Sequence, residues 1–553
     1  MNHQSAGWRW SLLGVLWWGL KRLLVAVVVI VAVANVWAWA DPPEPLRISA
    51  ETTLITEPIA EDGLPDFAGA LLDRLGRGVK PEDNGAIEFW QAIGPGEFDP
   101  ELHALLFSAI GCAAPDPDLA MTPIRSGQSL ANVVAWLSES RPDLDPKQIN
   151  IQSEQLLHFA RKRHGAVEAI PPLVSWFQEN AKQLELFHDS ASKPFFYSPP
   201  PNLLTVPPAP LVEALLPAEQ GVREPAFGLA TRAAWHIGMA EYNAAWRDLN
   251  TILVFGERFT SEPLITPQLV GVAIRAIAFE ELNLLVDHCD DDVLLRQVID
   301  RLNSLGDPDW IADAHGFGEP LTLIDNVVCS MYSTRPATEL DLSKDRKAIE
   351  PNLLLGEIRR WQVRAARIAN MPDRRSRRLA ADAFERSLDE MADGLSSWTL
   401  LTTAFSRAAV NRSVARIHVA LLTPAVVASF SAEDRSCAQQ RLTLLIAALK
   451  LHQLQHGEYP ETLDALTPEP LAEIPLDPFT NEPFRYERRD EGFAIWSLGH
   501  NGVDDGGSDR SGEFVAGDYA PIDWTGERPK PDGPDDVVVR LPVPRLELPG
   551  VVR

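Results

Sequence analysis

The stretch GEYPETLDAL, residues 457–466, decides the fold of the last fifth of this 553-residue chain. Before it, residues 431–456 carry apolar side chains at helical spacing, and Gly457 is a typical helix stop. After it, NEPFRY at 481–486 and GFAIWS at 492–497 alternate in side-chain character, as the two strands of a hairpin do. The order of these segments predicts a helix that carries a small sheet.

The helix predicted over residues 431–460 is apolar on two sides. Leu445 and Leu449 represent one stripe, and Leu444 and Leu451 represent a second stripe on the opposite side. A helix that is apolar on two faces is usually buried on both. We therefore expect it to pack against the sheet on one side and against a helical body on the other.

These segments together resemble the globular domain of the G-class pseudopilins of type II secretion systems. The resemblance rests on YPETLDAL at 459–466, IPLDPF at 474–479 and SLG at 497–499, and it covers residues 431–541. Phe479 stands where that family usually has tryptophan. The resemblance implies a small α+β domain. It does not extend to the N-terminus, where no Gly-Phe processing site precedes the apolar run and no glutamate lies within it.

The loop after SLG binds one calcium ion in that family, so the resemblance implies a calcium site here. Leu498 would offer a carbonyl oxygen, and the acidic side chains would offer carboxylates. A glycine-rich loop suits a hard cation that needs six to eight oxygen ligands. The alternative is a solvated acidic turn. The candidate ligands are Leu498, Asn501, Asp504, Asp505, Asp535 and Asp536.

An uncharged run near the N-terminus, LLVAVVVIVAVANVWAWA at 23–40, predicts a transmembrane anchor. Its eighteen residues nearly span a hydrocarbon core of about 30 Å. Because Lys21 and Arg22 precede it, the positive-inside rule places residues 1–22 in the cytoplasm and the rest in the periplasm. The alternative is a cleaved signal peptide, since Ala38-Trp39-Ala40 has the form of a cleavage site. Both interpretations put the body outside the cytoplasm.

The middle of the chain is predicted to be helical. Apolar residues recur every three or four positions on both sides of a proline-rich stretch, which neither a helix nor an interior strand can cross. Residues 229–249 resemble a degenerate tetratricopeptide hairpin with its tight turn at Ala240. A solenoid-like body follows from this interpretation, and an irregular helical domain is the alternative.

The predicted fold is therefore mainly α, with an N-terminal transmembrane helix, a helical-hairpin or solenoid-like body and a small pseudopilin-like α+β domain. Such a layout resembles large envelope proteins of planctomycete-like bacteria. The predicted division is 1–22 (cytoplasmic), 23–40 (anchor), 41–193 (first helical lobe), 194–210 (proline-rich linker), 211–430 (second helical, tetratricopeptide-like lobe), 431–541 (pseudopilin-like domain with an acidic insertion) and 542–553 (tail).

Charge and cysteine content restrict the partners and the redox chemistry. A formal net charge of −27 and a pI near 4.9 argue against nucleic-acid binding. The four cysteines are far apart and form no CxxC pair, which argues against thioredoxin-like and zinc-ribbon sites. Buried free thiols are favoured; the alternative in an oxidising compartment is a disulfide, for which Cys289 and Cys329 are the preferred pair.

The sequence contains no GxSxG, HExxH or Walker motif, so no catalytic residue is assigned. His452 and His456 lie one helical turn apart, and a solvated pair is favoured over a metal site. Asp290-Asp291-Asp292 is predicted to cap the next helix. The arginines within 359–378 predict a solvated helix face, with lipid headgroups or an acidic partner as the alternative.

The function expected from these features is that of an anchored extracytoplasmic scaffold or adaptor with protein partners, linked to a secretion or pilus-like system. The alternative is an envelope hydrolase or ligand-binding enzyme whose site is assembled from distant residues. A deep pocket that gathers His236, His288 or His315 with carboxylates of shifted pKa would favour the alternative. A shallow, extended groove would favour the scaffold.

Overall fold

The computed structural model describes residues 42–162, 165–332, 348–393, 407–422, 425–490, 492–507 and 535–543. This part of the chain is mainly helical with one small sheet, which confirms the predicted class. The helices before the proline-rich stretch are α1 (Phe67–Leu75), α2 (Ala86–Ile93), α3 (Pro100–Ile110), α4 (Gly127–Ser140), α5 (Pro146–Lys162), α6 (Pro171–Glu179) and α7 (Ala181–Ser192).

The helices after that stretch form the larger part of the body. A three-residue helix, Ile311–Asp313, and a π-helical turn, Ala314–Gly318, lead directly into the helix Glu319–Met331. The ten helices are α8 (Pro217–Gly221), α9 (Arg223–Gly238), α10 (Tyr242–Thr260), α11 (Ile265–His288), α12 (Asp292–Ser304), α13 (Glu319–Met331), α14 (Pro351–Ala369), α15 (Arg374–Asp393), α16 (Arg407–Leu422) and α17 (Ala425–His456).

Several parts of the predicted layout lie outside the described residues. These are the anchor at 23–40, the cytoplasmic segment at 1–22 and most of the acidic insertion and the tail. Within the described ranges, no helix combines the length and the apolar character that crossing a membrane requires.

The alanine-rich hairpin predicted over residues 229–249 is present as α9 and α10, which pack against each other. Ala233 of α9 and Ala245 and Leu249 of α10 are fully buried, because small side chains let the two helices approach closely. Ala240 has a φ of 58°, so a non-glycine residue adopts the left-handed conformation at the turn. Asp291 accepts hydrogen bonds from the first turn of α12, which confirms the predicted capping role of this acidic stretch.

Two buried apolar clusters hold the helices together. The first extends from α2 to α12 and includes α17 and the sheet, so it contains side chains from both sides of the proline-rich stretch. The second joins α1 to α13, α14, α15 and α16. The proline-rich stretch itself contains one short 3-10 turn, Pro201–Leu204, and its Leu203 belongs to the second cluster.

The sheet has three antiparallel strands in the order β1 (Arg485–Arg489), β2 (Gly492–Ser497) and β3 (Val537–Leu541). β1 begins four residues later than the predicted start at Asn481, because Pro483 has no N–H to donate to a ladder. Phe493 and Ile495 of β2 face the first cluster, whereas Ala494 and Trp496 lie on the other face with Leu498.

α17 is buried on both predicted faces, which confirms the two-stripe interpretation. Leu445 and Leu449 are fully buried, and so is Leu451 on the opposite side. α17 contacts β2 and β3 and also α11 and α12. Gly457 ends the helix with a φ of 86°, a conformation that glycine adopts without steric cost. The sheet is thereby joined to the helical body through a shared helix.

Candidate functional site

The acidic loop predicted to bind calcium lies between β2 and β3. Asp535 Oδ2 accepts hydrogen bonds from the backbone N–H groups of His500 at 2.7 Å and Asn501 at 3.3 Å. Asp505 Oδ2 accepts from the backbone N–H of Asp535 at 2.9 Å. Gly499 has a φ of 61°, and a Cβ there would lie 2.0 Å from the Asp535 carbonyl oxygen, so only glycine fits. The structure therefore brings the two distant parts of the predicted site together.

Asp504 and Asp536 differ in their surroundings. Asp504 Oδ1 accepts from Trp496 Nε1 at 3.0 Å, and although burial alone would raise the pKa of Asp504, this hydrogen bond helps to lower it. Asp536 is 1% exposed, and its Oδ1 has no hydrogen-bond partner among the described residues. Burial, followed by the negative charges of Asp505 and Asp504, raises the pKa of Asp536 to about 6.

The arrangement of this loop does not by itself form a metal site. Within the described ranges, no three acidic, histidine or cysteine side chains converge as a ligand set. Backbone N–H groups already occupy one oxygen each of Asp505, Asp535 and Asp536, and the Leu498 N–H is bound to Asp477. The orphaned Oδ1 of Asp536 is the one feature that suits a cation. Calcium binding therefore stays a prediction.

A second candidate site is a cavity of about 240 Å³ in the helical body. It lies between the start of α11, the π-helical turn, α14, α16 and residues 211–216 of the proline-rich side. Its apolar lining includes Leu211, Leu216, Leu264, Leu323 and Trp361. An apolar cavity with a few polar groups is the usual form of a small-molecule site.

His315 supplies one of the polar groups of this cavity. It lies on the π-helical turn and is 2% exposed, and its Nε2 is 3.2 Å from Ser429 Oγ. Its Nδ1 has no protein hydrogen-bond partner in the described part of the chain. Burial, with a smaller effect of the Arg377 charge, lowers the pKa of His315 to about 4. The imidazole is therefore neutral at pH 7.

Glu319 lines the same cavity, four residues after His315. Its Oε1 accepts a hydrogen bond from the backbone N–H of Ile265 at 3.1 Å, at the start of α11. The residue that precedes α11, Leu264, has no side-chain acceptor, so Glu319 caps this helix from a distance. Burial raises the pKa of Glu319, against a smaller opposing effect of the Ile265 N–H.

The other two histidines of the predicted alternative lie elsewhere. His236 Nδ1 is 2.7 Å from Glu241 Oε2 at the hairpin turn, and His288 ends α11 and does not line the cavity. Sequence reasoning missed Glu319. The available signal was the HGFGE stretch at 315–319, because two glycines in the three positions after a histidine indicate an irregular turn, and π-helical turns are frequent at functional sites.

The arginine-rich segment differs from the solvated face that was predicted. Arg374, Arg377 and Arg378 point into the interior, where the first two pair with the buried Glu433 and Asp434. The prediction is wrong at these positions because α15 packs against α17 along this side. These arginines are therefore not available to lipids or to an acidic partner.

The remaining chemical groups form no further site. None of the four cysteines forms a disulfide, so the favoured prediction of free thiols is confirmed and the alternative Cys289–Cys329 pair is wrong. The rings of His452 and His456 stack with centroids 4.1 Å apart on an exposed helix end, as expected for a solvated pair.

No protein-family model matches the chain, and no curated protein or solved structure is significantly similar to it. The function is therefore argued from the geometry and from the resemblance that the C-terminal motifs carry.

Proposed function

We propose that the protein is a membrane-anchored extracytoplasmic scaffold or adaptor, linked to a secretion or pilus-like system. The observation that supports this most directly is the burial of α17 on both faces, which makes the helical body and the C-terminal α+β unit one mechanical unit. In this proposal, residues 23–40 hold the unit at the outer face of the cytoplasmic membrane, and the body presents it to protein partners.

Polar contacts reinforce this connection at two places. The Arg441 guanidinium pairs with Asp307 at 2.6 Å, which joins α17 to the loop after α12. The backbone N–H of Val543, just after β3, donates to Asp287 of α11 at 2.8 Å. A partner bound to either part would therefore be held in a fixed position relative to the other, as a scaffold requires.

Both apolar stripes of α17 are buried, and α11 and α12 pack against this helix, so its apolar faces are not available to another chain. A partner must therefore use outer surfaces of the protein. Val206 on the proline-rich stretch is 99% exposed, and Val212 and Leu215 nearby in sequence are also exposed. Because apolar patches on a surface mark protein contacts, we place the partner on this segment.

The test is photo-crosslinking of the full-length protein in its native membranes. A photoreactive phenylalanine analogue replaces Val206 in one version and Val293, an exposed residue of α12, in the matched control. We expect a stoichiometric partner from secretion, pilus or wall-assembly machinery to be captured from Val206 and not from Val293. Recovery of an uncrosslinked monomer from both versions, and from chemical crosslinking of the unmodified protein, would contradict the scaffold proposal.

The second candidate function is a ligand-binding protein or envelope hydrolase with a site assembled from distant residues. One observation favours it, namely that His315 and Glu319 share a single cavity with apolar walls. The cavity combines residues from five separate parts of the chain, as that alternative requires. Its geometry supports binding more directly than hydrolysis, because Ser429 is buried beside His315 and does not line the cavity.

A further inference from the structure

His315 and Glu319 are the ionisable residues among the described residues that line the cavity in the helical body. In the tautomer that donates from Nε2 to Ser429, His315 Nδ1 is a hydrogen-bond acceptor. Glu319 Oε1 is used by Ile265, whereas Glu319 Oε2 has no protein partner among the described residues. The cavity therefore offers two acceptor atoms from buried or partly buried side chains, and both lack a donor.

The electrostatic character of the lining favours one class of ligand. No lysine or arginine is found among the described residues that line the cavity, and Glu319 is its one acidic residue. An anionic ligand would face this carboxylate with no cationic side chain in the lining, in a protein whose net charge is −27. A cation would meet the carboxylate, and Trp361 would add an aromatic ring, which also attracts cations.

We propose that this cavity binds a small protonated amine with an apolar body. The ammonium group would donate to Glu319 Oε2 and His315 Nδ1, and the body would contact Leu264, Leu323 and Trp361. A volume of 240 Å³ equals roughly eight water volumes of about 30 Å³ each, which suits a ligand smaller than a typical drug. The inference rests on the ligand-binding alternative and is independent of the scaffold function.

The proton balance of binding gives a specific signature. Burial disfavours the ionised form of Glu319 and raises its pKa, so this carboxyl group binds a proton at a higher pH than an exposed glutamate does. The arriving ammonium stabilises the carboxylate, and the carboxyl proton is released to solvent as the ion pair forms. A neutral ligand of the same shape would release none.

The capping role of Glu319 provides the matched variant. Glu319→Gln keeps an amide oxygen that can accept from the Ile265 N–H and removes the charge. The control is Glu213→Gln, which removes the same charge from an exposed position in the segment next to the cavity.

The experiment is titration calorimetry on the purified full-length protein with hexylamine, hexanol and hexanoate. We expect hexylamine to bind at least about tenfold more tightly than hexanol, and hexanoate not to bind, because a charged hydrogen bond is worth more than a neutral one. Glu319→Gln should remove the advantage of the amine, and Glu213→Gln should retain it. In the unmodified protein, titrations repeated at falling pH in two buffers of different ionisation enthalpy should show proton release that grows with hexylamine and is absent with hexanol.

The outcomes separate this inference from the functions on which it stands. Equal binding of hexylamine and hexanol, without proton release, would overturn the amine assignment and leave a neutral apolar ligand site. Binding of none of the three would overturn both the amine assignment and the ligand-binding alternative. Neither result bears on the scaffold, which the crosslinking experiment tests. The comparison of hexylamine with hexanol in the unmodified protein decides the amine assignment even where Glu319→Gln does not fold.

Discussion

Arg377 and Glu433 form an ion pair in the interior of the protein, with Nη2 2.7 Å from Oε1 and both side chains at most 4% exposed. Arg374 and Asp434 extend the pair into a cluster that joins α15 to α17. The net energy of a buried pair is small because desolvation offsets the attraction, whereas removing one partner leaves an uncompensated charge. The cluster therefore fixes how the two helices pack.

Loss of one arginine from this cluster should destabilise the whole protein. Arg377→Met leaves Glu433 and Asp434 buried with one cation fewer, and we expect the free energy of unfolding to fall by about 3–5 kcal/mol. Arg375→Met, on the exposed side of the same helix, should change it by less than about 0.5 kcal/mol. Urea denaturation of the full-length protein measures both. Equal effects would mean that the pair does not hold the helices.

The shared helix α17 makes a second prediction. Leu445→Ala and Leu451→Ala create cavities on its two opposite faces, and each should cost about 2–5 kcal/mol. Because both faces belong to one apolar cluster, both variants should still unfold in a single transition. Leu379→Ala, at a position 62% exposed, is the control and should have little effect. Separate transitions for the sheet and the body would show that α17 does not join them.

Features of the fold that depend on residues close together in sequence were predicted correctly. The two stripes of α17 follow from spacings of three or four residues, the turn at Ala240 from its resemblance to a tetratricopeptide hairpin, and the cap at Asp291 from acidic residues just before a helix. The burial of Arg377 did not, since its partner Glu433 lies 56 positions further along the chain, and a run of arginines alone indicates solvent.

The acidic loop and the cavity also differ in how far the sequence could predict them. From the order of the C-terminal motifs, the sequence predicted that the acidic residues before and after the insertion belong to one loop. In the structure, Asp535 accepts hydrogen bonds from the backbone N–H groups of His500 and Asn501. The cavity joins segments that are more than one hundred residues apart, from Leu211 to Val419. No periodicity connects such segments, so the cavity could be found only from the packing of the helices.

His315 should make the protein less stable in acid. Its pKa is about 4 in the folded protein and ordinarily 6.5, so between these values the unfolded chain binds a proton that the folded protein does not. The contribution is therefore complete above about pH 6.5 and is lost as the pH falls to about 4, by up to about 3 kcal/mol.

The measurement is urea denaturation across this range for the unmodified protein and for His315→Gln. Other groups, including His418 with its lowered pKa, also titrate here, so the difference between the two proteins is the quantity of interest. We expect the variant to lose less stability on acidification. Parallel curves would show that the imidazole is not kept neutral by burial.

Asp536 should make the protein less stable as the pH rises, which is the opposite of the effect of His315. The Asp536 pKa of about 6 lies above the ordinary 3.8, so the folded protein favours the protonated form, and stability falls as the pH rises from about 3.8 to about 6. With a chelator present, Asp536→Asn should therefore be more stable than the unmodified protein at pH 7 and should lack this dependence. The amide oxygen retains the Gly507 hydrogen bond. Destabilisation of the variant under these conditions would contradict the raised pKa.

Asp536→Asn is expected to stabilise the protein without calcium and to weaken it with calcium. This change of sign tests directly whether the acidic loop binds the ion. If Asp536, Asp535 and Asp505 supply ligands, calcium at a hundredfold excess over its dissociation constant should raise the free energy of unfolding by about 2.7 kcal/mol. Asp505→Asn, Asp535→Asn and Asp536→Asn should each reduce this gain, because a hard cation needs carboxylate oxygens. Asp490→Asn, at the exposed turn between β1 and β2, should retain it.

The comparison uses thermal and urea unfolding of the full-length protein in calcium, in magnesium and in chelator. Magnesium should have little effect, because it requires near-ideal octahedral geometry and gives up its water reluctantly. A gain with calcium that disappears in Asp536→Asn would show that Oδ1, which has no partner in the described part of the chain, faces the ion. An unchanged melting temperature in calcium would mean that backbone N–H groups alone hold the loop, as Asp535 holds His500 and Asn501.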